Sequence, residues 1–348
     1  MRIITGLLYD NGMRNKKKIL ITGSSGFIGA SLCKRLLMES DASIIGIDNM
    51  NDYYSVALKR SRLSELEGLK KDFTFIQGDI SDKSFINKLF QENDFDIVVN
   101  LAAQAGVRYS IDHPDVYISS NIIGFYNLLE AIRNHPVSHF IYASSSSVYG
   151  NSDSVPFSTK DRTDQPVSLY AATKKSDELL AYTYSHLYHI PMTGLRFFTV
   201  YGPAGRPDMA YFSFTEKLLK GEKIRIFNYG KCQRDFTYID DIVEGILRIM
   251  EKGPLREYSL YNIGNSHPEN LLEFVSTLSE TLIENQLLPA DYDIQEYLEL
   301  VEMQLGDVVA TYADTSALQN DYGFHPDTPL KEGLERFVRW YKENYREL

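Results

Sequence analysis

The segment "VSLYAATKKS", residues 167–176, places a tyrosine four residues before a lysine at the start of a predicted helix. Residues four apart lie on one face of a helix, so Tyr170 and Lys174 can act on the same small volume. A phenol has a reference pKa of about 10 and is a poor base near neutral pH unless nearby cations lower that value. The pair therefore predicts proton transfer by the tyrosine beside a positive charge that the lysine supplies.

A run of four serines follows the predicted strand "HFIYAS", in the segment "SSSSVYG". The hydroxyls of Ser144, Ser145, Ser146 and Ser147 would lie at the carboxyl edge of that strand, where they could hydrogen-bond a substrate oxygen. A Tyr-x-x-x-Lys spacing is common by chance, and a serine run is usually a loop. Combined with a cofactor site on the neighbouring elements, however, the set is specific.

Such a cofactor site is predicted by "ILITGSSGFIGASL", where Gly23, Gly26 and Gly29 lie between a predicted strand and a predicted helix. Glycines at this spacing permit a tight turn and let the backbone approach a pyrophosphate at the positive N-terminus of the helix. Glycines also mark purely structural turns. The second strand, "SIIGID", ends in Asp48, 25 residues after Gly23. An acid at this distance can bind a ribose diol and would repel a 2'-phosphate, which favours NAD over NADP.

Later strand ends fit the same crevice. Asp79 and Ile80 follow the third strand and could border an adenine, while Ala102 and Ala103 follow the fourth. The alternative is an acid at a helix start and small residues for packing; the position at the strand ends favours cofactor binding. The predicted cofactor-binding residues are Gly23, Gly26, Phe27, Ile28, Gly29, Asp48, Asn49, Asp79, Ile80, Leu101, Ala102, Ala103, Tyr170, Lys174 and Phe197.

The elements that must position these residues alternate between strands and helices from "KILIT" to "HFIYASS". This alternation predicts an α/β fold with a doubly wound, parallel, Rossmann-type sheet, covered on both faces. After residue 198 the pattern is less regular, with isolated strands such as "KIRIFN" and "YSLYNIG" and a smaller C-terminal α/β region. Helices are predicted near 54–68, 115–134, 209–220, 239–252, 268–282 and 330–346.

The composition excludes several classes of function. The formal net charge of -11 argues against broad binding to nucleic acid or to an anionic membrane, so an anionic ligand needs individually placed arginines. Cys33 and Cys232 are far apart and belong to no metal-binding motif, which fits a reducing cytoplasm and predicts no metal. No run of 18 apolar residues occurs, so we expect no membrane span. Residues 1–16 are interpreted as an N-terminal extension.

Together these motifs resemble the extended short-chain dehydrogenase/reductase family and, within it, the NAD-dependent nucleotide-sugar epimerases. The similarity covers about residue 17 to about residue 345 and is greatest to UDP-glucuronate 4-epimerases. It is carried by "GIDNMNDYY", "LAAQAGVRYS", "YASSSSVYG", "PVSLYAATKKSDE", "GLRFFTVYGPAGRPDM", "NYGKCQRDFTYIDDI", "YNIGNS" and "GDVVATYAD". It implies that residues 17–198 mainly bind NAD and residues 199–348 mainly bind the nucleotide sugar, with the chain crossing back between them.

The resemblance also implies the reaction. Tyr170 would remove the proton of the hydroxyl at sugar carbon 4 while the hydride of that carbon passes to NAD, and the resulting 4-ketose would turn over and take the hydride back on its other face. NAD is regenerated and must stay bound. Lys174 would orient the nicotinamide ribose, and Phe197 and Phe198 would lie near the nicotinamide. The implied catalytic residues are Tyr170, Lys174, Ser145, Ser146 and Ser147.

By the same resemblance, Arg234 would bind the pyrophosphate, Phe227 and Asn228 the uracil, and Asp307 the ribose. Arg225 is a less certain neighbour. Many relatives carry an arginine three residues before the position of Asp307, where this chain has Gln304. The resemblance therefore does not supply the phosphate contact that this arginine would make.

The type of sugar is inferred from a difference between this chain and related epimerases. Thr199 replaces an asparagine common in glucose and galactose epimerases, and Arg206 follows in a Gly/Pro loop. A guanidinium can bind a carboxylate bidentately, so the two residues suggest a uronic acid. We hypothesise that they also hold the carboxylate out of the alignment in which a 4-ketouronate loses carbon dioxide. The alternative is that Arg206 is simply solvated. Arg108 could also face the pocket, although a structural salt bridge is about as plausible.

Competing functions remain open. Ser146 and Ser147 stand where 4,6-dehydratases carry an Asp-Glu pair, so dehydration is not expected. The main alternative is a UDP-glucose or UDP-N-acetylglucosamine 4-epimerase. A more remote one is a non-catalytic dinucleotide-binding regulator, since a fold does not determine function. The expected partners are a UDP-sugar and, by resemblance, a second copy of the chain in a homodimer.

Overall fold

The computed structural model of this chain describes residues 16–152, 154–303 and 310–345. The predicted N-terminal extension, apart from residue 16, lies outside these ranges, and so do Gln304 and Asp307. No helix in the described ranges has both the length and the apolar composition needed to cross a bilayer.

The described strands form one large sheet and two small ones. They are β1 Lys18–Thr22, β2 Ser43–Asp48, β3 Phe73–Gln77, β4 Ile97–Asn100, β5 His139–Ser145, β6 Met192–Phe197, β7 Thr199–Tyr201, β8 Ile224–Ile226, β9 Gln233–Tyr238, β10 Tyr258–Ile263, β11 Pro268–Asn270 and β12 Leu298–Leu300. The seven-stranded sheet has the order β10-β6-β5-β4-β1-β2-β3, and all its pairs are parallel. The strand order reverses between β1 and β4, which is where such sheets bind ligands.

Helices cover both faces of this sheet, and others pack against the small sheets. They are α1 Phe27–Glu39, α2 Val56–Gly68, α3 Lys83–Glu92, α4 Tyr109–Asp112, α5 Pro114–Tyr117, α6 Gly124–Asn134, α7 Leu169–Tyr188, α8 Ala210–Leu219, α9 Ile239–Lys252, α10 Leu271–Glu284, α11 Ser316–Tyr322 and α12 Leu330–Trp340. Successive residues of β1 point to opposite faces of the sheet. Ile19 and Ile21 pack into one hydrophobic cluster, and Leu20 packs into the other. The prediction of a doubly wound α/β sheet is thereby confirmed.

Side-chain caps explain where several helices begin. Asp82 accepts hydrogen bonds from two backbone N–H groups at the start of α3, Ser168 accepts one at the start of α7, and Asn270 accepts two at the start of α10. The predicted helix at 115–134 is present, and its backbone stays helical through a π-helical turn over Ile118–Ile123 that lies between α5 and α6. The predicted helix at 268–282 begins only at Leu271, because residues 268–270 form β11.

The C-terminal part of the chain returns to the large sheet. The segment "YSLYNIG" was expected to be an isolated strand, and this was wrong: β10 pairs in parallel with β6, from Tyr258 opposite Met192 to Ile263 opposite Phe197. The buried helix α9 precedes β10, so the two form one more crossover unit of the same sheet. The remaining strands form the small sheets β11-β9-β7 and β12-β8.

Candidate active site

A cleft of about 1000 Å³ opens at the carboxyl ends of the parallel strands. All the predicted cofactor-binding residues line it, from Gly23 in the first loop to Phe197 at the end of β6. The other predicted residues that line it are Ser144, Ser145, Ser146, Ser147, Arg108, Phe198, Thr199, Arg206, Arg225, Phe227 and Arg234. The tertiary structure therefore brings residues from nearly the whole length of the chain to one site.

The glycine loop has the geometry that close approach to a ligand requires. Gly23 has φ +70°, and a Cβ there would come within 2.8 Å of the backbone nitrogen of Ala102. A Cβ on Gly29 would overlap the carbonyl oxygen of Gly23, so α1 can start this close to β1 only with glycine at that position. The N–H groups at the start of α1 then face the cleft, where a pyrophosphate fits.

The acid after β2 is held by its own loop. The Asp48 carboxylate accepts hydrogen bonds from the backbone N–H of Ser25 at 3.3 Å and of Met50 at 2.9 Å. Asn49 donates to Asp79 at 2.8 Å, which joins the loops after β2 and β3. Burial opposes the charge on Asp79, but the hydrogen bonds from Asn49 and Ser81 hold its pKa below the usual value. These loops form a polar rim suited to an adenosine.

Tyr170 and Lys174 lie in the first two turns of α7. The Lys174 ammonium donates to the carbonyl of Ala143 at 2.9 Å and lies 3.3 Å from a carboxylate oxygen of Asp177. The Lys174 and Asp177 side chains are only 3% and 1% exposed. Burial raises the pKa of Asp177 to about 7, although Lys174 opposes this shift. A fixed cation therefore lies one helical turn from the tyrosine.

The serines after β5 have different environments. Ser145 Oγ accepts hydrogen bonds from the Ser147 backbone N–H at 3.2 Å and from the Ser147 hydroxyl at 2.9 Å. Because its oxygen accepts both, the Ser145 hydroxyl keeps its own proton to donate towards the cleft. Ser144 is instead buried and donates to Glu178 at 2.7 Å, so it does not supply a hydroxyl to a ligand.

A buried ion pair that the sequence alone did not predict lies beneath these serines. Arg196 on β6 donates to both oxygens of Glu178 on α7, each at 2.8 Å. With Ser144, the pair joins β5, β6 and α7. The sequence signal that could have identified Glu178 is its position four residues after Lys174, which places both on the same helical face. Breaking a buried pair leaves an uncompensated charge, so the network fixes the position of the helix that carries Tyr170 and Lys174.

A second unforeseen group lies opposite the tyrosine. Asn121, in the π-helical turn, accepts from the Gln104 backbone N–H at 2.8 Å and donates to the Gln104 carbonyl at 3.1 Å and to Thr173 at 3.0 Å. Nearby, the Tyr117 ring lies 6.1 Å from that of Tyr170. A π-helical turn is often found at a functional site. Here it ties the loop after β4 to the start of α7.

Arg206 faces the cleft and has an internal partner. Its Nε donates to one oxygen of Asp208 at 3.0 Å and its Nη2 to the other at 2.5 Å, with the two side chains 21% and 34% exposed. The Tyr53 hydroxyl donates to the same carboxylate at 3.2 Å, and the guanidinium lies 5.8 Å from the centre of the Tyr53 ring. Burial works against the Arg206 charge, but Asp208 raises the pKa of Arg206 above its usual value. The structure thus places Arg206 in the cleft wall and not on a solvated loop.

The other predicted substrate residues are distributed around the far end of the cleft. The Arg108 guanidinium lies 5.0 Å from the centre of the Phe227 ring, and Arg234 donates to the neighbouring carbonyl of Gln233 at 2.9 Å. Asn228 has a positive φ of 51°, donates its side-chain amide to the Lys231 carbonyl, and is absent from the cleft lining.

Arg225 is the less suitable of the candidate phosphate-binding arginines. It forms a 3.0 Å ion pair with Glu299, and both side chains are largely exposed. Asp307 lies outside the described residues. Within those residues, no group of three or more His, Cys, Asp or Glu side chains is arranged to hold a metal ion.

Comparisons with known proteins agree with this geometry. The chain is 49% identical over 345 residues to protein CapI of Staphylococcus aureus, covering 94% of this chain and 99% of CapI. It is 45% identical over 350 residues to UDP-glucuronate 4-epimerase 2 of Arabidopsis thaliana, covering 96% of this chain and 78% of that protein.

A solved structure is similar over nearly the whole chain. The crystal structure of UDP-glucuronic acid 4-epimerase from Bacillus cereus, in complex with UDP-glucuronic acid and NAD, matches with a TM-score of 0.85 and 34% sequence identity, covering 94% of this chain and 99% of that one. The family model described as NAD dependent epimerase/dehydratase family matches residues 19–264. The resemblance predicted from the motifs is confirmed, and so is NAD as the cofactor: the chain belongs to the NAD dependent epimerase/dehydratase family.

Proposed function

We propose that this protein interconverts UDP-glucuronate and UDP-galacturonate by reversible epimerisation at sugar carbon 4. The observation that carries the proposal is Arg206, which faces the same cleft as Tyr170 and Lys174 and can form a bidentate contact with a sugar carboxylate. The relatives named above include UDP-glucuronate 4-epimerases and support the same choice.

The residues divide the chemical work. NAD, when bound, supplies a reversible acceptor for the hydride at carbon 4. Tyr170 takes and returns the proton of the carbon 4 hydroxyl, assisted by the charge of Lys174. Ser145 donates a hydrogen bond through its hydroxyl to the same sugar oxygen and keeps its proton throughout. The glycine loop and Asp48 hold the cofactor, and its retention through both half-reactions makes added NAD unnecessary.

Thr199 and Arg206 recognise the uronate, and Arg108 and Arg234 provide positive charge for the pyrophosphate at the other end of the cleft. Phe227 packs against the base. In this assignment residues 17–198 mainly bind NAD and residues 199–348 mainly bind the nucleotide sugar. Arg206 also holds the carboxylate out of alignment with the π system of the carbonyl at carbon 4. Loss of carbon dioxide requires that alignment, so the keto sugar retains its carboxylate.

The experiment is to incubate the purified protein, without added cofactor, with UDP-glucuronate, with UDP-glucose and with UDP-N-acetylglucosamine in separate reactions, and to resolve the products by chromatography. UDP-galacturonate from the first substrate alone is expected. UDP-galactose as the preferred product would favour a UDP-glucose 4-epimerase, and epimerisation of UDP-N-acetylglucosamine would favour a UDP-N-acetylglucosamine 4-epimerase. No product, even with added NAD, would favour a non-catalytic regulator.

We also propose that the protein is a homodimer through α6 and α7, which pack beside each other. Their outer surfaces expose Ile123, just before α6, with Tyr126, Leu179 and Tyr182. Adjacent exposed apolar side chains of this size indicate an interface, and self-association through one such patch gives a two-fold dimer. Light scattering after size exclusion should give twice the chain mass, and Leu179→Glu should shift it towards the monomer.

A cytoplasmic location is proposed on the chemistry of the cysteines. Cys33 and Cys232 are both free and buried. Free thiols without disulfides are typical of a reducing compartment.

A further inference from the structure

Helix α2 carries two buried cations on the face that it turns towards the cleft. Lys59 and Arg62, one helical turn apart, are each 4% exposed in a protein with a net charge of -11. Burying a cation is costly unless it is paired or hydrogen-bonded. Lys59 donates to the carbonyl and side-chain oxygens of Asn51 at 2.8 and 2.9 Å. Arg62 has a different set of partners.

Arg62 links two loops that belong to different parts of the site. Its Nη1 donates to the carbonyl of Ser25 in the glycine loop at 3.0 Å and to the Tyr54 hydroxyl at 2.8 Å. Its Nε and Nη2 donate to the carbonyl of Ala204 at 2.9 and 2.6 Å, and Nη2 also donates to the carbonyl of Gly205 at 2.9 Å. A guanidinium has five N–H donors, so these five contacts use its full capacity.

The loop that receives these hydrogen bonds has an unfavourable backbone conformation. Ala204 has a φ of 54°, in the left-handed region that a non-glycine residue seldom adopts, and Gly202 has a φ of 145°. A Cβ on Gly205 would overlap the Tyr211 hydroxyl. The conformation of Ala204 persists only where the surroundings hold it, since glycine alone adopts a positive φ without cost. The three donations from Arg62 to carbonyls 204 and 205 supply that support immediately before Arg206.

We infer that Arg62 is a positioning residue that couples the dinucleotide-binding loop to Arg206, so that recognition of the sugar carboxylate depends on the order of the cofactor loop. The inference rests on the proposed function for the identity of the anion. It predicts that the two sites are linked: a change at Arg62 affects the uronate contact without affecting the UDP contacts, and NAD strengthens uronate binding through the same residue.

The test compares Arg62→Lys with the wild type by calorimetric titration of UDP-glucuronate and of UDP, with NAD bound. Lysine keeps the charge but cannot bridge the two loops. We expect UDP-glucuronate to bind about 2- to 30-fold more weakly and UDP to change by less than about twofold. In the Arg206→Ala background the same substitution should cost nothing further, because the residue it positions is gone. Arg60→Lys, on the exposed face of α2, is the matched control and should leave both affinities unchanged.

Equal losses for UDP and UDP-glucuronate, or a loss that persists in the Arg206→Ala background, would overturn the inference. If Arg62→Lys does not fold, Tyr54→Phe removes one acceptor of Arg62 and keeps the ring; its effect should be smaller and equally selective for the uronate, and an unselective effect would also refute the coupling. A wild-type protein that binds UDP-glucuronate no better than UDP-glucose contradicts the proposed function instead, which keeps the two failures distinguishable.

Discussion

Replacing Arg206 by alanine removes a bidentate donor and leaves Asp208 without its ion-pair partner. Removing one member of a buried, hydrogen-bonded charge pair costs about 2–5 kcal/mol, whereas exposed pairs contribute about 0.2–1 kcal/mol. The two side chains are 21% and 34% exposed, which lies between these limits. We therefore expect a loss of about 1–2 kcal/mol in transition-state binding of UDP-glucuronate, a roughly 5- to 30-fold lower kcat/KM.

Part of that loss comes from repulsion. In the Arg206→Ala variant, the Asp208 carboxylate keeps its hydrogen bond from Tyr53 and faces the sugar carboxylate with no cation between them. The double variant Arg206→Ala/Asp208→Asn removes that charge and should recover about 0.5–1 kcal/mol, or roughly 2- to 5-fold in kcat/KM. By the same reasoning, Asp208→Asn alone should lower the KM for UDP-glucuronate, because it removes the carboxylate that occupies Arg206.

The assay resolves UDP-glucuronate, UDP-galacturonate, neutral UDP-hexoses and UDP-pentoses by chromatography after incubation with each variant. UDP-glucose has no carboxylate, so its binding should be the same in Arg206→Ala and in the wild type. Carboxylate that is no longer held should be lost as carbon dioxide, and a UDP-pentose should appear. Turnover of UDP-glucuronate at the wild-type rate, without pentose, would refute the assignment of Arg206.

Three further predictions concern the catalytic helix and the serine beside it. Tyr170→Phe should lower kcat by about 10²- to 10⁴-fold while bound NAD is retained, and residual activity above a tenth of wild type would argue against Tyr170 as the proton carrier. Ser145→Ala should lower kcat by about 100-fold, whereas Ser147→Ala, which removes only a donor to Ser145, should cost less; the reverse order in steady-state rates would contradict the assignment. Asp177→Asn should flatten the dependence of stability on pH. The folded-state pKa of Asp177 is raised to about 7, so its stabilising contribution is complete below the unfolded value near 4 and is lost as the pH rises to about 7, with a slope of at most about 1.4 kcal/mol per pH unit. Urea titrations of both proteins at pH 4.5, 6 and 7.5 measure that slope, and parallel curves would show that Asp177 does not titrate in this range.

Much of the site could be predicted because its signals are local. The glycines of the first loop, the acid that ends β2 and the pair Tyr170 and Lys174 each follow from spacing within one strand, turn or helix. Helices and parallel strands convert such spacing into direction, and the carboxyl ends of neighbouring strands meet at one edge. The predicted sheet and the predicted cleft residues are consequently recovered together.

The missed features depend on partners that are distant in sequence. The helix at 115–134 was predicted, but no spacing rule anticipates the π-helical turn within it around Asn121, whose partner Gln104 lies in a loop. The assignment of "YSLYNIG" to an isolated strand failed because pairing with β6 requires the whole crossover through α9. The pair Glu178 and Arg196 satisfies buried charge that only the packing of α7 on the sheet creates.

The sequence by itself determined the chemical groups, their order along the chain, the NAD-type glycine loop and the parallel α/β architecture, because each is encoded within a few turns of backbone. Only the tertiary structure decided which groups meet. Arg62 reaches a carbonyl 142 residues away, Ser144 is used inside the protein while Ser145 keeps a proton for the cleft, and Arg206 is paired with Asp208. These choices depend on burial, because most buried polar groups must find a partner on whatever element packs against them.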